Sequence, residues 1–161
     1  ETLSTGFEQV KAFFRGDSSG VRRLGVPEDI PSTSNTYNSS KFANQAEADE
    51  VLKQYEIAKN TDSEIVLGRL PDTEAGSQLG MTRLDSGNWT ENVNDAFVQG
   101  GIDAGKPFYL GSRPDISNYR SAWNALEGNR GSHPQTVFLR EMKQLRDAGY
   151  RLEGDYMLPP N

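Results

Sequence analysis

The chain has 161 residues, a formal net charge of −6 and 34% hydrophobic residues, which is single-domain size with two Trp, six Tyr and seven Phe to build one modest core. It contains no cysteine and one histidine, which excludes disulfides, thiolate catalysis, Cys-ligated metals and any multi-histidine zinc site within one chain. No stretch of 18 apolar residues is present and no start of signal-peptide type can be read, and the negative charge opposes avid nonspecific nucleic-acid binding.

Taken in order, residues 2–14 place Phe7, Val10, Ala12, Phe13 and Phe14 at helix-compatible positions. Residues 21–40, with two prolines and a Ser/Thr/Asn cluster, predict an irregular, linker-like segment. The domain reading is therefore a helix and linker over 1–40 followed by a compact domain over 41–161. The start at Glu1 without methionine suggests a processed product or an excised fragment. Ala43 to Lys59 predicts a helix capped by Asn44 or Ser40, with Ala48, Val51, Leu52, Tyr55 and Ala58 as its buried stripe. Glu64 to Gly68 predicts a central strand.

Arg69 to Gly80 reads as a turn with at most one short helical turn, and Met81–Leu84 as a short strand. Trp89 to Ala104 predicts a helix capped by Thr90, whose Gly100-Gly101 pair would admit another backbone at close range. Phe108–Gly111 predicts an aromatic strand, and Ser117–Leu126 a short helix carrying Tyr119 and Trp123.

The clearest stretch is Ser132 to Leu152. Ser132 and Gln135 suit a capping box, Pro134 sits in the first turn where a missing backbone N–H costs little, and Gly149 suits the left-handed residue after the helix. Its stripe is Phe138, Met142 and Leu145, and Arg140, Glu141, Lys143, Gln144 and Asp147 are expected on the opposite, solvent side. A hairpin from Tyr150–Leu152 to Tyr156–Leu158 closes the chain. The whole predicts an α+β or α/β fold, a small single sheet covered by helices, in which the units Asn44–Gly68 and Ser132–Leu152 can lie side by side.

Three blocks carry a family resemblance: Ile65-Val66-Leu67-Gly68; then Gly80-Met81-Thr82-Arg83 through Trp89 to Asn94-Asp95-Ala96-Phe97; and Ser132 through Phe138-Leu139-Arg140-Glu141-Met142 to Gly149-Tyr150-Arg151. Over residues 62–152 the chain resembles the C-terminal toxin domains of large bacterial secreted proteins of the contact-dependent inhibition and Rhs-repeat type. The resemblance implies export by a producing bacterium, action in the cytoplasm of a target cell, and neutralisation by a cognate immunity protein. It also implies cleavage of RNA or DNA most often, and protein modification or NAD consumption in other cases.

The residues permit matching chemistry. A ribonuclease that needs neither metal nor cofactor requires a proton acceptor, a donor and cations around the phosphorane. His133 is the only side chain with an unperturbed pKa in the useful range, and its expected place at a helix start suits a general base. Thr136 and Arg140 follow at helical spacing as phosphate ligands. Arg69 and Arg113 each follow a predicted strand; if those strands are parallel, the two arginines share one edge and can clamp an anion. Tyr109 is a candidate for base stacking and Lys59 a further cation.

Blander readings stand beside these: His133 as a surface residue, Arg69 as a strand-terminal arginine, and Trp123 as core. The enzyme alternative is an ADP-ribosyltransferase or NAD glycohydrolase, for which Arg69, Ser112 and Glu141 occur in the appropriate order, with NAD as substrate. Asp72, Glu74 and Asp85 are the carboxylates that a metal-dependent nuclease would have to use. A non-catalytic binding or adhesion module is the remaining class. Residues 1–105 carry 9 Lys/Arg against 17 Asp/Glu and residues 106–161 carry 8 against 6, so the C-terminal third is expected to offer a basic face.

Overall fold

A computed structural model describes residues 42–116, 119–128 and 136–160. The expected helix over 2–14, the irregular segment over 21–40, and Ser132–Gln135 with His133 lie outside the described residues.

Helix α1 (Gln45–Asn60) starts where the sequence places it. The Asn44 side chain accepts from the Glu47 N–H at 2.9 Å, and Glu47 accepts from the Ala43 N–H at 2.6 Å, a reciprocal cap that satisfies one first-turn donor and the donor just before the cap. Strand β1 (Ile65–Leu67) is buried along its length. Helix α2 (Leu70–Gln78) replaces the expected turn; it buries only Thr73 and Gly76, so no apolar stripe announces it. Met81–Leu84 is not a strand. Thr82 alone bridges to Ile65, receiving the Val66 N–H at 2.9 Å and donating to Glu64 O at 2.8 Å.

Helix α3 (Glu91–Asp103) is capped by Thr90, whose hydroxyl accepts from the Val93 N–H at 3.2 Å. Strand β2 (Phe108–Leu110) and the short helix α4 (Arg120–Glu127) follow. Helix α5 (Val137–Asp147) begins later than expected: Thr136 is the cap, accepting from the Leu139 N–H at 3.2 Å. Its end is as read. Gly149 takes φ +91°, Tyr150 N–H bonds Leu145 O at 3.0 Å and Gly149 N–H bonds Arg146 O at 2.9 Å, which closes the last turn. Strands β3 (Arg151–Glu153) and β4 (Tyr156–Leu158) form the expected hairpin.

The four strands make one sheet in the order β1-β2-β4-β3. β1 and β2 are parallel with Leu67 opposite Leu110, and the other two pairings are antiparallel. The two helix–strand units therefore share the sheet but are not neighbours; β2 and β4 separate them. This is a mixed α+β fold, with the sheet covered by helices.

Ile65, Leu67, Phe108, Leu110 and Met157 join Val51 and Tyr55 of α1, Val93, Phe97 and Val98 of α3, and Phe138, Met142 and Leu145 of α5 in one apolar cluster. Val66 points the other way, towards Gly76 of α2. Among the described residues no helix is long and apolar enough to cross a membrane.

The Gly100-Gly101 pair does admit a neighbouring backbone. A Cβ on Gly100 would lie 2.2 Å from the Tyr55 carbonyl oxygen, and one on Gly101 would lie 2.6 Å from both Ile65 and Phe108. Glycine thus sets the spacing of α3 against α1 and the sheet, even though it weakens the helix locally. Gly100→Ala should lower the unfolding free energy by about 2 kcal/mol or more, because the obstructing atom is backbone and the overpacking outweighs the gain in helix propensity. Urea denaturation checks this; a variant as stable as the parent would contradict the packing.

Candidate functional site

The parallel register brings two strand ends together. Each carries nearly the same six residues: Leu67-Gly68-Arg69-Leu70-Pro71-Asp72 after β1, and Leu110-Gly111-Ser112-Arg113-Pro114-Asp115 after β2. Because Leu67 pairs with Leu110, the two hexapeptides leave the sheet side by side. The ladder continues one step, with the Gly111 N–H donating to Leu67 O at 2.8 Å. Gly68 sits at φ +146°, and a Cβ there would come within 2.8 Å of the Ser112 nitrogen and hydroxyl. A larger residue would push the ends apart.

Ser112, almost fully buried, is the knot between them. Its hydroxyl accepts from the Arg69 N–H at 2.8 Å and donates to Asp72 Oδ2 at 2.9 Å. Asp72 also receives Arg69 Nε at 3.4 Å. Arg113 is gripped more tightly: Nε and Nη2 reach the two Asp115 oxygens at 3.0 and 2.8 Å, and Nη1 reaches Asp155 at 2.7 Å.

Asp155 lies on the β3–β4 turn, whose position is fixed separately by the Leu110 N–H donating to Asp155 O at 2.7 Å. Hydrogen bonding to Asp115, ahead of its bond to Asp155, raises the pKa of Arg113; the same pairing, with Arg113 as the main cause, lowers that of Asp115. Arg120 adds a third guanidinium, donating to the Asp115 carbonyl at 3.3 Å. The edge therefore holds Arg69, Arg113 and Arg120 against Asp72, Asp115 and Asp155.

Tyr109 extends from the opposite face of β2 to Phe108 and Leu110. It is half-buried and meets Tyr156 edge to face at 5.4 Å between ring centres. The Tyr156 hydroxyl donates to Glu64 at 3.0 Å, and that bond is the first cause of its raised pKa. Lys59 lies in the last turn of α1, before β1 begins, with Nζ 5.6 Å from the Tyr55 ring centre. Arg69 follows the other end of β1, so the structure does not bring Lys59 to the arginines.

Arg140 and Glu141 are corrected in position. Both, together with Gln144, were expected on the solvent side of the last long helix, and all three are buried, Arg140 2%, Glu141 1% and Gln144 2% exposed. Arg140 forks onto Asp95 of α3, Nε to Oδ1 at 2.9 Å and Nη2 to Oδ2 at 2.7 Å, with Glu91 at 3.7 Å from Nη1. Gln144 donates to Asp95 O at 3.0 Å and to Gln99 at 3.1 Å. Glu141 accepts from Asn94 at 2.7 Å, and Asn94 accepts from Trp89 Nε1 at 3.2 Å.

Burial pushes the Asp95 carboxyl up to about 7, against the opposing pull of Arg140. These groups form a polar seam joining α5 to α3. The physical reason lies in the Arg140–Asp95 pair: a guanidinium can face the core only where a carboxylate from another helix meets it. Thr136 is committed as the α5 cap.

Among the described residues, much of the positive charge of the C-terminal third is paired. Arg113, Arg140, Lys143, Arg146 and Arg151 each pair with a carboxylate. Among the described residues no three His, Asp or Glu side chains converge on a place for a metal ion, Asp72, Glu74 and Asp85 included.

Of the expected site residues, then, the structure assembles Arg69, Ser112 and Arg113. Asp115 and Asp155 join them without having been expected, and for the first the sequence carries a signal: the repeated Leu-Gly-x-x-Pro-Asp pattern places an aspartate after each arginine. No family model matches the chain, and no curated protein and no solved structure matches it.

The two polar assemblies separate under mutation. Arg140→Ala should cost about 3–5 kcal/mol, since it leaves Asp95 buried without its counter-ion. The double change Asp95→Leu with Arg140→Met should recover most of that loss. Arg69→Ala, at an exposed pair, should cost no more than about 1 kcal/mol. Guanidinium denaturation of the four proteins checks all of this, and an Arg140→Ala protein as stable as Arg69→Ala would overturn the assignment of the seam to the fold.

Proposed function

We propose that the chain is a ribonuclease toxin domain that cleaves RNA without metal or cofactor, and that the edge formed by the two Leu-Gly-x-x-Pro-Asp turns holds the scissile phosphate. The observation that carries this reading is the in-register parallel pairing of β1 with β2, which delivers Arg69 and Arg113 to the same edge. Two further features support it. The α2 N-terminus opens at that edge directly after Arg69, adding the positive end of a helix dipole. The Arg113 guanidinium is held by Asp115 in a fixed plane, which suits two-pronged binding of phosphate oxygens.

In the reaction the ribose 2′-oxygen attacks phosphorus, giving up its proton to a general base as the bond to the 5′-oxygen breaks. The 5′-oxygen takes up a proton, leaving a 2′,3′-cyclic phosphate and a free 5′-hydroxyl. The arginines offset the charge gathered on the phosphorane oxygens. His133 is the proposed base. Its case rests on the ordinary titration range of an imidazole. Arg140 and Thr136 have no part in this scheme; they serve the seam and the cap. In a producing bacterium an immunity protein would cover the edge, and release into a target cell would expose it.

The NAD-consuming alternative draws on one contact, the Arg69 N–H to Ser112 hydrogen bond. It also needs a glutamate beside that pair, whereas Glu141 is engaged by Asn94 in the seam. Purified protein incubated with total RNA in chelator should yield fragments ending in cyclic phosphate. His133→Ala should slow cleavage by about 10²-fold or more, and Arg113→Ala by at least about tenfold. No cleavage at high enzyme excess would sink the reading, and NAD turnover in the same preparation would replace it with the alternative.

A further inference from the structure

We infer that Asp155 occupies on Arg113 the place of the ligand's phosphate, so that binding exchanges one anion for another at a preformed guanidinium. The inference rests on the proposed anion edge and adds where on it the phosphate sits and what it must displace.

The two turns are near copies, and each supplies its own counter-ion from two or three residues away: Asp72 for Arg69, Asp115 for Arg113. Arg113 has a third contact that its turn does not provide. Asp155 comes from the β3–β4 hairpin, 42 residues on, and bonds Nη1 at 2.7 Å. The three carboxylates are not held alike. Asp72 is bonded by the buried Ser112 hydroxyl as well as by Arg69. Asp115 has both oxygens in a fork. Asp155 offers one oxygen to one nitrogen and is 58% exposed.

Nor does the hairpin depend on that contact for its place. The backbone bond from Leu110 to Asp155 O and the β2–β4 pairing already fix it. The carboxylate can swing into water while the backbone stays. A guanidinium has five N–H donors, and Asp115 uses two of those on Arg113 and Asp155 one. With Asp155 withdrawn, three donors remain for phosphate oxygens while Asp115 still sets the plane. Asp115 is thus a positioning residue and Asp155 a displaceable occupant. The ligand class is a phosphate ester or diester able to outcompete a single exposed carboxylate, a contest of roughly a few-fold in affinity for an exposed pair.

The test titrates inorganic phosphate, and separately a 2′-deoxy dinucleoside monophosphate that cannot be cleaved, into the parent, Asp155→Asn, Asp155→Asn with Arg113→Ala, and Glu127→Gln. The last removes one exposed carboxylate that pairs with Arg146 instead. At constant ionic strength, Asp155→Asn should bind both probes about threefold tighter or better than the parent. Glu127→Gln should match the parent, the double variant should lose the gain, and Tm should stay within a degree or two.

Equal affinity for the parent and Asp155→Asn overturns the inference while leaving the anion edge standing. So does an equal gain in Glu127→Gln, or a fall in Tm with no gain in binding, which would make the contact a structural tether. Failure of both the parent and Asp155→Asn to bind either probe overturns the edge itself.

Discussion

The pairing of Leu67 with Leu110 is the constraint from which the rest follows. Shift it by one residue and Phe108 and Leu110 leave the core for the other face, Gly68 no longer meets Ser112, and the two arginine turns separate. The register is held from three directions. Ile65 and Phe108 share the groove that Gly101 leaves on α3, Gly76 lets α2 close over Val66, and the Ser112 hydroxyl, from the turn after β2, accepts from the Arg69 N–H and donates to Asp72 in the turn after β1. Small residues in these places are the means by which a sheet of three-residue strands is positioned firmly enough to present two arginines together.

Much of this was legible in the sequence wherever the signal is local. The Asn44 cap, the β-branched run at Ile65, the Thr90 cap, the glycine pair at 100 and 101, the Gly149 stop and the terminal hairpin all depend on neighbours within a few residues, and each lies where its own chemistry puts it. Helix α2 was not legible because its buried side is one threonine and one glycine. The start of α5 differs from the expectation because Thr136, itself a good capping residue, stands directly before the apolar run and caps it.

Arg140 and Glu141 illustrate a different limit. On a helical wheel a charged residue marks the solvent face, but that rule fails when a partner distant in sequence supplies the opposite charge or a matching amide. Asp95 and Asn94 do so from α3, 45 and 47 residues away. A polar seam can also fix which turn of α5 meets which turn of α3, since any other register would strand a buried charge. At the strand ends the repeated hexapeptide was visible in the letters, yet its meaning depended on the register, which no local pattern encodes.

The net charge of −6 does not oppose the proposed anion site, because the charge is paired locally at the strand ends. The arginines at the strand ends are balanced by aspartates, so the edge is preformed without being strongly positive, and on the proposed reading a ligand replaces an internal partner instead of filling an empty field. The most direct test of the account is a map of backbone amide shifts on adding a non-cleavable 2′-deoxy oligonucleotide. The account predicts the largest changes at Gly68, Arg69 and Gly111 through Arg113, with α1 and the core-facing side of α5 unmoved. Shifts centred on α1 or the α3–α5 seam, with the two turns silent, would contradict it.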